Sequence, residues 1–202
     1  METPGPYNKT LGLTRLLAVY LAAMLVVLLA RPTPWSVTIG FVFVALGETV
    51  RLWAAGHLRK TVELITSGPY RYTRNPLYLG RLLVFTGLCV MGRLPFELHW
   101  IVLLVGYAVF FGYYLPRKER VEPARLRETH GEAYEKYFRT VPALVPTLRP
   151  YPEGAATGWS SERMLRNREP WMVVTLLGLS LLLLWVAYVH PEGLLASWLG
   201  GS

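Results

Sequence analysis

Three tyrosines, two arginines and an asparagine fall within SGPYRYTRNPLYLG, residues 67–80, at a point where a helix is about to begin. Pro76 suits a first helical turn, whose backbone N–H groups lack internal partners, and Arg71 and Arg74 stand beside it. Donors and cations so arranged favour a carboxylate or a phosphate. The same residue types also build the aromatic and basic belt of a membrane interface, so spacing alone leaves site and belt both open.

A second group lies in RKERVEPARLRETHGEAYEKYFRT, where Glu119, Glu122, Arg125, His130, Tyr134 and Tyr137 could act together. The stretch reads as helix, with Val121, Ala124 and Leu126 on an apolar side, an interruption at His130-Gly131 and a stop at Pro142. Residues three apart are helix neighbours, which pairs Glu119 with Glu122 and Tyr134 with Tyr137. A third pair, Glu48 and Arg51, has the same spacing inside an apolar run, where ionisable groups mark either a passage or a buried ion pair. Arg81 falls near a span end and can snorkel. His57, His99 and His190 are isolated, and Cys89 is the sole cysteine, so no metal site is expected. Serine-hydrolase, phosphate-loop and dinucleotide signatures are absent from the sequence.

The elements that must hold these groups are apolar. The 202 residues are 52% hydrophobic with a mean hydropathy of +0.31, which is membrane-protein composition. A net charge of +8, clustered between apolar runs, suits an anionic lipid surface and gives no sign of nucleic acid as a partner. Apolar stretches at 16–30, 35–55, 77–91, 100–115 and 171–189 predict an all-α polytopic bundle of about five transmembrane helices, given the roughly 20 residues a span needs. The first follows Lys9 and Arg15 but meets Arg31-Pro32 with no small-residue cleavage site, so it reads as a retained helix. Arg59, Lys60, Arg71 and Arg74 lie between the second and third stretches, and 116–170 holds the densest basic cluster. The positive-inside bias then puts the N-terminus and both polar segments on the cytoplasmic side and the C-terminus on the other. Residues 1–150 read as a four-helix core with its cytoplasmic motif segment at 116–150, residues 151–169 as a Pro- and Gly-rich linker, and 170–202 as an added helix and tail.

The stretch GPYRYTRNPLYLGRLLVFTG, followed after a helical hairpin by EPARLRETHGEAYEKYFRTVPALVP, resembles the paired signature of the isoprenylcysteine carboxyl methyltransferase family, itself similar to the phospholipid methyltransferases. The similarity runs over about 64–146, with both blocks in the family's order. Arg74, Pro76, Tyr78 and Gly80 match the first motif; Glu122, Leu126, Gly131, Tyr134 and Tyr137 match the second. Asn75 replaces a histidine, Pro123 a second glutamate, and His130 an aromatic residue.

The resemblance implies S-adenosylmethionine as cofactor, held at the cytoplasmic surface, and a lipophilic or membrane-associated acceptor entering from the bilayer; the chain's compact size favours a bacterial cytoplasmic membrane. On that expectation Tyr70, Arg74, Asn75 and Tyr78 line the cofactor pocket from one side, and Glu122, His130, Tyr134 and Tyr137 from the other. Arg74 and Glu122 are the expected polar clamp and the catalytic pair, with Glu48 and Arg51 at the acceptor passage. A carboxylate or thiolate acceptor needs no general base, because methyl transfer annihilates charge in a water-poor pocket and in-line positioning supplies much of the rest. An isoprenylcysteine-type carboxylate, a thiol and a phospholipid amine remain open as acceptors. Two other readings also stay open: a non-enzymatic binding or resistance module, kept alive by Asn75 and Pro123, and a sterol-type reductase using NADPH.

Overall fold

A computed structural model describes residues 21, 24–58, 64–155 and 157–199, without the side chains of residues 124, 125 and 199. Residues 16–20, 22 and 23 of the first predicted span lie outside the described residues, and 24–29 are helical. Arg59 and Lys60 also lie outside them, as does the Arg125 side chain.

Helix α1 spans Pro34–His57 and is started by a capping box, in which the Thr33 hydroxyl accepts from the Ser36 backbone and the Ser36 hydroxyl accepts from that of Thr33. Its 24 residues make a rod about 36 Å long, enough for a bilayer core. A 3-10 turn at Gly68–Arg71 leads into α2, Pro76–Gly92, with Pro76 at its first turn as the sequence predicts. A second short turn at Pro95–Glu97 reverses the chain into α3, Leu98–Val109. This helix does not end where its apolar run ends. It continues through a π-helical turn, Phe110–Tyr114, into α4, Leu115–Thr140. Helices α5 (Ser161–Arg166), α6 (Glu169–Val189) and α7 (Leu194–Leu199) complete an all-α chain with no strand among the described residues.

By length and composition, three segments can cross a membrane: Pro34–His57, Pro95–Pro123 and Glu169–Val189. Helix α2 is apolar but only 17 residues long, short of the usual span. It is held tightly instead. Gly40 and Gly47 of α1 face Gly87 and Gly80 of antiparallel α2, and a Cβ on Gly87 would lie 2.5 Å from the Gly40 carbonyl oxygen. Backbones this close gain dispersion contacts that any side chain would prevent. Gly87→Ala is therefore expected to cost about 1–3 kcal/mol by overpacking and to lower the melting midpoint in detergent; an unchanged midpoint would show that the helices do not meet there. Ala30, Val37, Val44, Met91, Leu176, Leu183 and Ala187 form the apolar core that joins α6 to the same pair.

The stretch read as a linker is docked rather than loose. The Ser160 backbone and the Arg163 Nε both donate to the Gly56 carbonyl, Trp159 Nε1 donates to that of Leu52, and Asn167 Nδ2 to that of Ala55. The end of α1 is thereby capped by side chains that arrive more than a hundred residues later. Within α4, Gly131 has φ 52° and ψ −127°, a left-handed break that glycine tolerates and that separates the first part of the helix from residues 132–140. Beyond it, Tyr134, Tyr137 and Val141 pack with Tyr151 into a second buried cluster.

Candidate functional site

A cavity of about 420 Å³ lies between the start of α2 and the inner side of α4, within the size range of small-molecule sites. Tyr70, Arg74, Asn75 and Tyr78 line it from the first segment, and Glu122, His130, Tyr134 and Tyr137 from α4. The fold brings together all eight residues singled out for the pocket. Leu58, Leu64, Ile65 and Leu126 add an apolar wall, and Pro123 supplies ring surface where the related motif has a carboxylate.

Arg74 is the most heavily engaged of them. Its Nη1 donates to the carbonyls of Phe138 and, at 2.9 Å, Val141, its Nη2 pairs with Glu119, and its guanidinium lies 3.8 Å from the Phe138 ring centroid. Its backbone N–H donates to the Pro142 carbonyl at 2.9 Å. Lysine or arginine near a helix C-terminus satisfies orphan carbonyls and opposes the helix dipole, and Arg74 does this for α4 from another element. Only its buried Nε has no hydrogen-bond partner.

Asn75 is equally occupied. Its amide nitrogen donates to Glu119 Oε1 and to the Ala143 carbonyl, each at 2.8 Å, and its Oδ1 accepts from Lys118. Lys118 also pairs with Glu122 at 2.8 Å and sits 4.6 Å from the Tyr78 ring centroid. A charge ladder results, Arg74, Glu119, Lys118, Glu122, with Asn75 bridging its middle. The π-helical turn just before it inserts an extra residue per turn, a feature often found at functional sites, and it sets Phe110 6.1 Å from the Tyr78 ring.

Burial favours the neutral phenol at Tyr70, Tyr134 and Tyr137. Burial pushes the Tyr70 and Tyr137 phenols well above their ordinary value, with the charge of Glu122 adding to the effect at Tyr70 and that of Tyr70 at Tyr137. Burial likewise pushes Tyr134 up to about 12, against an opposing pull from Arg74. Tyr137 donates to the Tyr70 carbonyl at 2.8 Å and so ties α4 to the 3-10 turn. Among the described residues, the Tyr70 hydroxyl, Arg74 Nε and His130 Nε2 are buried with no hydrogen-bond partner, and all three residues line the cavity. Buried polar atoms of this kind ordinarily find partners, so three around one cavity mark a place that suits a polar ligand.

Glu48 and Arg51 do not line this cavity. Arg51 Nη2 donates to Glu169 Oε2 at 2.7 Å, while its Nε approaches Glu48 Oε1 to 3.0 Å as an ion contact without hydrogen-bond geometry. All three side chains are buried. Glu169 occupies the first turn of α6, the positive end of that helix, which favours its charge. Arg81 is exposed, with its guanidinium 5.3 Å from the Tyr78 ring centroid. Among the described residues, no group of three His, Cys, Asp or Glu side chains is placed to hold a metal ion.

Sequence reasoning did not single out Lys118 or Glu169. Lys118 could have been found by its four-residue spacing from Glu122 on a helix already expected. Glu169 carries no local signal, because its partner is 118 residues away.

The phospholipid methyltransferase family model matches residues 17–119. The cobalt-zinc-cadmium resistance protein CzcN of Cupriavidus metallidurans is 32% identical over 165 residues, covering 81% of this chain and 72% of the relative. The nickel-cobalt-cadmium resistance protein NccN of Alcaligenes xylosoxydans xylosoxydans is 29% identical over 160 residues, covering 73% and 72% respectively. No solved structure matches the chain.

Proposed function

The chain belongs to the phospholipid methyltransferase family, and we propose that it is an integral membrane enzyme that moves a methyl group from S-adenosylmethionine to a lipophilic or membrane-associated acceptor. The carrying observation is one cavity lined by both motif segments, with the Tyr70 hydroxyl and His130 Nε2 buried around it and without partners among the described residues. A volume of about 420 Å³, an apolar wall, two carboxylates, two cations and neutral phenols fit the cofactor's chemistry. When bound, the cofactor supplies an electrophilic methyl carbon on a cationic sulfur. Glu122 suits its ammonium, Leu58, Leu64 and Leu126 suit its adenine, and Tyr70 and His130 suit its ribose hydroxyls.

The chain's own residues exclude water and orient the partners. Tyr134 and Tyr137 close the floor, each 3% exposed, and a dry site strengthens every charge interaction within it. Carboxylate and thiolate acceptors require no base, whereas an amine acceptor must first lose a proton. The basic residues around both motif segments support a cytoplasmic site, and a bacterial cytoplasmic membrane accords with the relatives' sources.

Incubating the purified protein and radiolabelled S-adenosylmethionine with membrane lipid extracts and with small thiols should label one product class. Absence of both labelling and cofactor binding would sink the proposal. The relatives' names support a second reading, in which the same architecture serves metal resistance without catalysis. Cells challenged with cobalt, zinc or cadmium separate the two: Glu122→Ala should abolish any resistance that depends on methyl transfer and spare one that does not.

A further inference from the structure

Resting on the methyltransferase reading above, we propose that Lys118 and Glu122 form the subsite for the cofactor's α-amino-acid end, and that Asn75 is the positioning residue that aims Lys118. Lys118 takes the carboxylate and Glu122 the ammonium.

Two cations line the cavity, and they differ in what they can still bind. Arg74 has both terminal nitrogens directed at protein oxygens and one face against Phe138. Lys118 has an ammonium with three N–H groups, of which Asn75 Oδ1 and Glu122 Oε2 occupy two. Its side chain is 20% exposed and that of Glu122 is 51% exposed, so the pair is reachable from the cavity rather than sealed in the protein. An α-amino acid carries opposite charges on groups that share one carbon. Laid antiparallel along the 2.8 Å Lys118–Glu122 pair, it gives each of the four charges a neighbour of opposite sign. Such charge-assisted hydrogen bonds are about twice as strong as neutral ones.

Asn75 sets the geometry. It is 3% exposed, and the two oxygens facing its amide, Glu119 Oε1 and the Ala143 carbonyl, are both acceptors, so the nitrogen must face them and Oδ1 must face Lys118. A histidine offers two ring nitrogens to these three partners and would leave one unmet. Asparagine, with two amide hydrogens and a carbonyl oxygen, meets all three.

The test measures binding of S-adenosylhomocysteine and of 5′-methylthioadenosine, which shares the nucleoside and lacks the amino-acid end, to the full chain in detergent. The wild-type protein should prefer S-adenosylhomocysteine. Lys118→Gln should weaken that ligand by about tenfold to a hundredfold and leave 5′-methylthioadenosine unchanged, which also shows that the cavity is folded. Lys118→Arg should recover part of the loss, and Asn75→Ala should reproduce a smaller version of it. Equal weakening of both ligands, or of neither, overturns the subsite. Equal wild-type affinity for the two ligands overturns it as well while leaving the methyltransferase reading standing; wild-type binding of neither ligand removes both.

Discussion

Arg74→Ala is expected to abolish cofactor binding and to loosen the end of α4 at the same time. The substitution removes the donors to the Phe138 and Val141 carbonyls and strips Glu119 of its cation. Among the described residues, Glu119 would then keep only Asn75, at 2.8 Å, as a hydrogen-bond partner. Removing one member of a buried ion pair costs about 3–5 kcal/mol, because the other charge stays desolvated. The Arg74 and Glu119 side chains are 12% and 22% exposed, so the lower part of that range applies. Arg74→Lys keeps a charge for Glu119 but has no planar fork to reach two carbonyls as well, and should fall between. Hydrogen exchange across 132–141 with a thermal melt in detergent reads the first effect, and calorimetry with S-adenosylmethionine reads the second. Lost binding with unchanged exchange would make Arg74 a direct ligand of the cofactor, and wild-type behaviour in both would remove it from the site.

Arg51→Met should damage the chain as severely, for a different reason. It leaves Glu48 and Glu169 facing each other with no cation, in a part of the protein where water cannot solvate them. The cost is again about 3–5 kcal/mol, and since Glu169 holds the first turn of α6 against α1, the expected result is loss of the folded, detergent-extractable protein. Neutralising all three positions, as Glu48→Gln, Arg51→Met and Glu169→Gln together, should restore much of the yield, since a buried ion cluster is often replaceable when no charge is left alone. Failure of the triple variant to recover, with Glu48→Gln alone also inactive in a methyl-transfer assay, would return these residues to the acceptor passage. Recovery of both yield and activity would make them packing residues.

Much of this protein is legible locally. The apolar runs mark α1, α2, α3 and α6 because burying or lipid-facing surface is a property of each segment's own composition. Pro76 at a helix start, the hairpin between α2 and α3, and the break at Gly131 are likewise set within a few residues, helped by the fixed φ of proline and the φ freedom of glycine. The resemblance to two motif blocks names eight of the residues that line the cavity, because each block is contiguous in the sequence.

Partner choice was not legible. Arg74 reads as an anion ligand from its sequence surroundings, yet in the fold its terminal nitrogens meet the carbonyls at the end of α4 and Glu119, which approach it from 45 to 67 residues away. Glu48 and Arg51 read as a pair at a passage, and only the docking of α6 shows that Glu169 completes them. A residue's type limits which bonds it can make, and type is written in the sequence. Which of those bonds it makes depends on distances between segments far apart in the chain, and those arise only when α1, α2, α4 and α6 pack.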